Sequence, residues 1–260
     1  MRFSLITIAL VLFSCRKEKN FDAVQVFGHA GNGIEISNSV YHDNSQESVD
    51  LALAQNGCDG VEVDIQLSKN GTAWLFHDLG LEAETGETGC IPSKTDAELE
   101  KIRYQSFHKE KLVRLDELQL YSKAVFLDLK HVNSCEGETV PLDELLDDLL
   151  AFRDKYPANG VRLITFNSEW IDALLASGME IYYEALNYED ALKYVSKPGL
   201  KGFVLKSENI TKEELADLRN KGFQTVLFEA RSPRGIRTAL RKYPDYLLAD
   251  DIKATLIEKY

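Results

Sequence analysis

The sequence lacks most of the features that settle a chain's class at sight. Its four cysteines are few for 260 residues and fit no zinc-binding spacing, which excludes a zinc module. Its conspicuous apolar run, Phe3 to Phe13, is too short to span a bilayer. There is no internal repeat, no low-complexity tract and no Gly-rich GxGxxG turn. Positive charge is also short, with 30 Lys and Arg against 42 Asp and Glu, a formal net charge of −12. A general affinity for nucleic acid or anionic bilayers is thereby disfavoured, although a local basic pocket for a phosphate remains compatible with it.

What is present begins at the N-terminus. MRFSLITIALVLFSC has one basic residue and then an apolar stretch of signal-peptide length. Its end, LFSC, resembles a bacterial lipobox, in which the cysteine becomes the lipidated first residue. The expected division is a signal peptide over 1–14, a polar tether over 15–22 that includes RKEKN, and one folded domain over 23–260. Cys15 then anchors the protein in the cell envelope, its only membrane attachment. By the sorting convention that goes with this resemblance, Arg16 is compatible with the outer membrane. An ordinary signal peptide with an incidental cysteine is the plainer alternative. Export permits a disulfide between Cys90 and Cys135, which lie in polar loops after strand-like segments, while Cys58 reads as a small buried residue.

The rest of the chain alternates. Eight short apolar runs recur: VQVFG (24–28), GVEVDIQL (60–67), AVFLDLK (124–130), VRLITF (161–166), EIYYEA (180–185), GFVLK (202–206), QTVLFE (224–229) and DYLLAD (245–250). Between most of them lie helical patterns such as PLDELLDDLLAFRDKY and TKEELADLRNKG, several with an Asn, Ser or Thr cap. Strand and helix alternating over this length imply parallel strands, and eight of them imply a closed (β/α)8 TIM barrel. An open doubly wound sheet is the other arrangement, disfavoured by the missing Gly-rich turn.

One segment breaks the alternation. After GVEVDIQLSK comes Asn70-Gly71, a strong hairpin signal, and then TAWLFHD, so a β-hairpin is expected after the second strand. A two-residue loop would set Asp64 opposite His77, and the strand period of two puts Glu62 on the same face as Asp64. A bulge at the turn would shift this register by one.

In a barrel, polar residues at the C-terminal strand ends line the site. Here these are His29, Glu62, Asp64, His77, Asp78, Asp128 and Lys130, followed further round by Asn167, Glu184, Lys206, Glu229 and Asp250. Carboxylates suit a single hard divalent cation, Mg²⁺ or Ca²⁺; paired imidazoles suit a general acid and base; a lysine suits a phosphate. Together they suit phosphoryl transfer. His42, His108 and His131 sit in polar surroundings and are expected to be solvated.

These residues resemble the glycerophosphodiester phosphodiesterases, a branch of the phosphatidylinositol-phosphodiesterase-like TIM barrels. The densest likeness is DNSQESVDLALAQNGCDGVEVDIQLSKNGTAWLFHDLGLEAETGETG, residues 43–89, and it extends through VRLDEL, FLDLK, LITFN and YPDYLLADD. The resemblance implies His29 and His77 as catalytic acid and base, Glu62, Asp64 and Asp128 as ligands of one divalent cation, and Lys130 as a phosphate contact. It implies cleavage of a small glycerophosphodiester to glycerol 3-phosphate and an alcohol, with attack by the substrate's own hydroxyl or by water. It also places the chain among exported bacterial lipoproteins of the family.

Three positions depart from the family pattern. Ala30 stands where the family has the arginine of His-Arg-Gly, so that contact must come from elsewhere, Lys130 or Arg231. Asp43 replaces a glutamate before Asn44, and Asp128 replaces the usual third glutamate. Two alternatives follow: a weakened barrel that binds a phosphodiester or glycan at the surface without cleaving it, and a phosphodiesterase acting on another lipid or polymer phosphodiester. No oligomeric state is implied.

Overall fold

The computed structural model describes residues 21–34, 40–135 and 140–260. The expected signal peptide, Cys15 and most of the tether lie outside these residues. Among the described residues ten strands form one sheet: β1 (Gln25–Gly28), β2 (Gly60–Leu67), β3 (Ala73–Leu75), β4 (Val113–Arg114), β5 (Ala124–Leu129), β6 (Val161–Thr165), β7 (Glu180–Glu184), β8 (Gly202–Lys206), β9 (Gln224–Phe228) and β10 (Tyr246–Ala249). β1 pairs in parallel with both β10 and β2, β2 with β5, and each strand from β5 to β10 with the next. The sheet therefore closes on itself as an eight-stranded parallel barrel, and the eight runs read from the sequence are its staves. Helices Gln46–Leu53, Leu142–Lys155, Ile171–Ala176, Tyr188–Leu192, Lys212–Asn220, Pro233–Leu240 and Ile252–Lys259 follow seven of the staves.

The period of two divides every stave between two environments. Val26, Val61, Val63, Val125, Leu127, Leu163, Ile181, Phe203, Leu227 and Leu247 belong to the layer between sheet and helices. Phe27, Phe126, Ile164, Tyr182, Val204, Val226, Tyr246 and Leu248 fill the barrel interior. Rings of Phe27, Phe126, Tyr182 and Tyr246 meet edge to face at 5.1–6.2 Å, so the interior is a packed plug. Two residues beyond Phe27, Phe126, Ile164, Tyr182, Val204 and Leu248, on the same inward phase, come His29, Asp128, Phe166, Glu184, Lys206 and Asp250. The alternation that buries the plug thus also delivers the mouth residues.

β2 is followed by an insert in which β3 pairs antiparallel with β2, and β4 with β3. The insert has its own small core of Trp74, Phe76, Leu81, Ile91, Leu99, Ile102, Tyr104 and Leu112. The hairpin is present, but its register differs from the expectation by one: Ile65 pairs with Leu75, and Asp64 is level with Phe76, not His77. The turn has three loop residues, Lys69, Asn70 and Gly71, because the Gly71 N–H donates to Ser68 O (3.0 Å) and Ser68 pairs with Thr72 (2.8 Å). Gly71 has φ +78, the left-handed residue that closes a three-residue hairpin. Asp96 secures this turn by accepting from Ser68 Oγ, Thr72 Oγ1 and Trp74 Nε1.

The expected disulfide is present: Cys90 and Cys135 are bonded with Cα atoms 5.9 Å apart, tying the insert to the loop after β5. Cys58 is a buried free thiol. Among the described residues no helix is long and apolar enough to cross a membrane.

Candidate active site

The loop after β1 sets the first part of the site. Gly28 has no room for a side chain, since a Cβ would lie 1.9 Å from Gly31 O; the tight turn that follows puts His29 level with Glu62 on β2. His29 Nδ1 bonds Asp250 Oδ1 at 2.6 Å, and its Nε2 lies 3.8 Å from Glu62 Oε2. Burial alone would lower the imidazole pKa, but the bond to Asp250 and the charges of Glu62, Asp250 and Asp64 raise it to about 9.

Glu62, Asp64 and Asp128 follow from register. Asp64 pairs with Asp128 across β2 and β5, and Glu62 is one inward step below. Burial and the neighbouring charge of Asp64 raise Glu62 to about 8. Burial works on Asp64 in the same sense, but Lys130, His77 and the amide of Asn44 hold it below the ordinary aspartate value. Lys130 bridges the pair, 2.9 Å from Asp64 Oδ1 and 2.5 Å from Asp128 Oδ2. Asn44 grips Asp64 twice, donating from Nδ2 to Oδ2 (2.7 Å) and accepting the Asp64 N–H (2.9 Å).

Each of these three carboxylates offers an oxygen within 4.8 Å of the others. Glu62 Oε1 and Asp128 Oδ1 are buried and have no hydrogen-bond partner among the described residues. Buried, all-oxygen donors with unused lone pairs fit a hard divalent cation of the Mg²⁺ or Ca²⁺ kind.

His77 lies on the open side of this cluster. Its side chain is 49% exposed, and its Nδ1 bonds Asp78 Oδ1 at 2.9 Å. The one-residue shift in the hairpin leaves it close enough to Asp64 to lower that carboxyl. The structure thus gathers all six residues singled out from the sequence, His29, Glu62, Asp64, His77, Asp128 and Lys130, at one barrel mouth.

Three participants were given no role from the sequence. Asp250 was visible as a strand-end carboxylate, and its inward phase after Tyr246 and Leu248 marks it as a mouth residue. Asn44, 1% exposed, carries no such signal, because its role depends on a loop conformation. His42 was expected to be solvated, yet it is held between Asp43 and Glu84 and stacks on Tyr104 at 3.8 Å. His131 likewise packs against Phe166 at 4.3 Å and Trp170 at 5.5 Å, and burial lowers its pKa; His108 is exposed as expected.

Comparison with known proteins agrees with this architecture. A phosphodiesterase from Oleispira antarctica, solved with its product sn-glycerol-3-phosphate, superposes with a TM-score of 0.76 at 20% identity, covering 90% of this chain and 96% of that one. A glycerophosphodiester phosphodiesterase from Thermotoga maritima gives 0.68 at 22%, covering 91% and 97%. One from Parabacteroides distasonis gives 0.69 at 18%, covering 91% and 97%. A search of the curated proteins returned no match. The profile of the Glycerophosphoryl diester phosphodiesterase family matches residues 29–254, nearly the whole described barrel. The chain belongs to the glycerophosphoryl diester phosphodiesterase family and is an enzyme of that phosphodiester-cleaving kind.

Proposed function

We propose that this enzyme hydrolyses soluble glycerophosphodiesters to glycerol 3-phosphate and an alcohol, with His29 and His77 as base and acid. The observation that carries this reading is the convergence of two imidazoles, three carboxylates and a lysine on one barrel mouth. Glu62, Asp64 and Asp128 would hold one divalent cation, which supplies positive charge for the phosphoryl oxygens. Lys130 Nζ lies against Asp64 and Asp128 and would add a second positive charge for the phosphate.

His29 is the buried imidazole, oriented by Asp250; a cation held by Glu62, Asp64 and Asp128 would offset the carboxylate charges that raise its pKa and leave it neutral to take the proton from the attacking oxygen, a glycerol hydroxyl or a water. The new P–O bond forms as the P–O bond to the alcohol breaks. The leaving oxygen keeps that electron pair and takes a proton from His77, whose exposed position suits a variable alcohol. Attack by the glycerol hydroxyl gives a cyclic phosphate that water opens through the same two residues. The product bound by the Oleispira relative, sn-glycerol-3-phosphate, supports this substrate class.

The test is turnover of glycerophosphocholine and glycerophosphoethanolamine by purified protein, with Mg²⁺ or Ca²⁺ and with chelator. No turnover of any phosphodiester by a folded barrel overturns the reading. So does full turnover retained in His29→Ala and His77→Ala; a barrel that only binds would show no turnover and keep its ligand affinity in both variants. We further propose anchoring at Cys15, read from LFSC at the end of the apolar run; Cys15→Ser should move the protein from the membrane fraction to the soluble one.

A further inference from the structure

His42, Asp43 and Glu84 form a cluster that the proposed reaction does not use. His42 and Asp43 lie on the loop after β1, and Glu84 lies on the short helix Glu82–Thr85 of the insert, 42 positions from His42 in sequence. The imidazole is held between the two carboxylates, with Nδ1 on Asp43 Oδ1 at 2.5 Å and Nε2 on Glu84 Oε2. One nitrogen of His42 and one oxygen of each carboxylate lie within 4.8 Å of one another. The three side chains are 16%, 23% and 33% exposed and line a cavity of about 420 Å³, so an ion can reach them from solvent and keep water beside it.

Tyr104 lies beneath this cluster. Its ring stacks on His42 with centroids 3.8 Å apart, it is 2% exposed, and its hydroxyl has no hydrogen-bond partner among the described residues. The charges that act most on that hydroxyl are Asp43 and Glu84, so a buried oxygen with unused lone pairs faces the same groups. Native structures leave few buried polar atoms without a partner, and a hydrated ion supplies one here. Charge points the same way. With a proton on His42 the two carboxylates still leave one negative charge in excess, and Asp78 stands beside Glu84 on the same wall. A dication in place of that proton brings the three groups to neutrality.

We propose that His42, Asp43 and Glu84 form a second metal site, separate from the Glu62, Asp64 and Asp128 cluster, which takes a borderline dication such as Zn²⁺ or Mn²⁺. The donor set chooses the metal: the buried cluster is all oxygen, whereas one imidazole nitrogen with two carboxylate oxygens suits zinc or manganese better than magnesium or calcium. His42 enters as the neutral imidazole, and its proton goes to solvent. The ion joins two segments that serve the barrel mouth. Asn44, next to Asp43, grips Asp64, and the insert that carries Glu84 also carries His77. The site is therefore a staple between the loop after β1 and the insert.

The experiment is calorimetric titration with Zn²⁺ of the full mature chain, stripped with EDTA and returned to excess Mg²⁺, in wild type, His42→Gln and Glu84→Gln. Each variant should bind one Zn²⁺ per chain fewer than wild type, with the circular dichroism spectrum unchanged. Glu84→Gln keeps the size of a side chain that is one-third exposed, so the count stays readable even where His42→Gln does not fold. The same Zn²⁺ count in wild type and Glu84→Gln overturns the site, as does a wild type that binds no Zn²⁺. A count that falls in Glu84→Gln but not in a folded His42→Gln overturns it too, because the ion then rests on carboxylates without the imidazole. No substrate enters these measurements, so the outcome is independent of the phosphodiesterase reading.

Discussion

Lys130→Met isolates what the lysine does for the buried carboxylates. The substitution keeps the unbranched stem as far as Cε but removes the ammonium that bridges Asp64 and Asp128 at 2.9 and 2.5 Å. Burial would lower the lysine pKa, yet Asp128 and Asp64 carry it above the ordinary lysine range, so the group is charged in the folded protein. At those separations each attraction is about 6 kcal/mol with an effective dielectric of about 20. Desolvation of the three groups cancels much of this, and stranding buried charges by removing one partner costs about 3–5 kcal/mol net. A domain of this size loses about 2–4 °C per kcal/mol, so in EDTA the variant should melt roughly 6–20 °C below wild type. Mg²⁺ should narrow that gap, because the cluster without its lysine has more uncompensated negative charge and gains more from a cation. The assay is thermal unfolding of both proteins in EDTA and in Mg²⁺ at neutral pH. A variant that melts with wild type in EDTA, or a gap that Mg²⁺ leaves unchanged, refutes the reasoning.

Asp250→Asn should lower kcat by about 10²–10⁴ with the circular dichroism spectrum unchanged, since it removes the charge that orients a catalytic imidazole; an unchanged kcat refutes that role. Arg231, whose Nε is 3.7 Å from Asp250 Oδ2, is one of the two expected substitutes, with Lys130, for the arginine missing at position 30. Arg231→Ala should raise KM for phosphodiesters by roughly tenfold, and a KM within error of wild type assigns that contact elsewhere. Burial lowers the pKa of His42, but Asp43 and Glu84 outweigh it and carry the value from 6.5 to about 10. A folded value above the unfolded one gives stability that is complete below pH 6.5 and lost as pH rises to about 10. The urea midpoint of wild type should therefore fall over that window relative to His42→Gln; parallel curves exclude the pairing. Reduction of Cys90–Cys135 should cost up to about 4 kcal/mol by loop-closure entropy for a loop of this length, read as a lower denaturant midpoint.

The barrel was legible because one signal, the period of two, serves both packing and function. Leu248 and Asp250, or Phe126 and Asp128, differ by two residues and so share a face; the inner one fills the plug and the outer one lines the mouth. The same periodicity placed Glu62 with Asp64. The hairpin register was not legible, because Asn70-Gly71 is compatible with two loop lengths. The choice between them is made by Asp96, whose bonds to Ser68, Thr72 and Trp74 reach across 22–28 positions of chain. His42 and His131 failed as readings for a related reason. Their neighbours in sequence are polar, but their neighbours in space are the Tyr104 ring and the Phe166–Trp170 pair, supplied by other loops. Local composition reports solvation only where the tertiary neighbours are also local.

The same distinction bears on Ala30, the departure from the family that most affects function. Its side chain is fully buried at φ +48, a left-handed conformation that costs a non-glycine residue about 1–2 kcal/mol. Its backbone is fully used: the N–H donates to Glu62 Oε2 at 2.8 Å, and the carbonyl accepts the Asn44 N–H at 2.9 Å. Asn44 in turn fixes Asp64 from both sides. Position 30 therefore holds two of the three carboxylates through its peptide groups, whatever side chain it bears. By the family resemblance an alanine there gives up one phosphate contact, while the peptide groups of position 30 still hold Glu62 and Asn44. The expected consequence falls on substrate affinity, and the capacity to hold a divalent cation is unaffected.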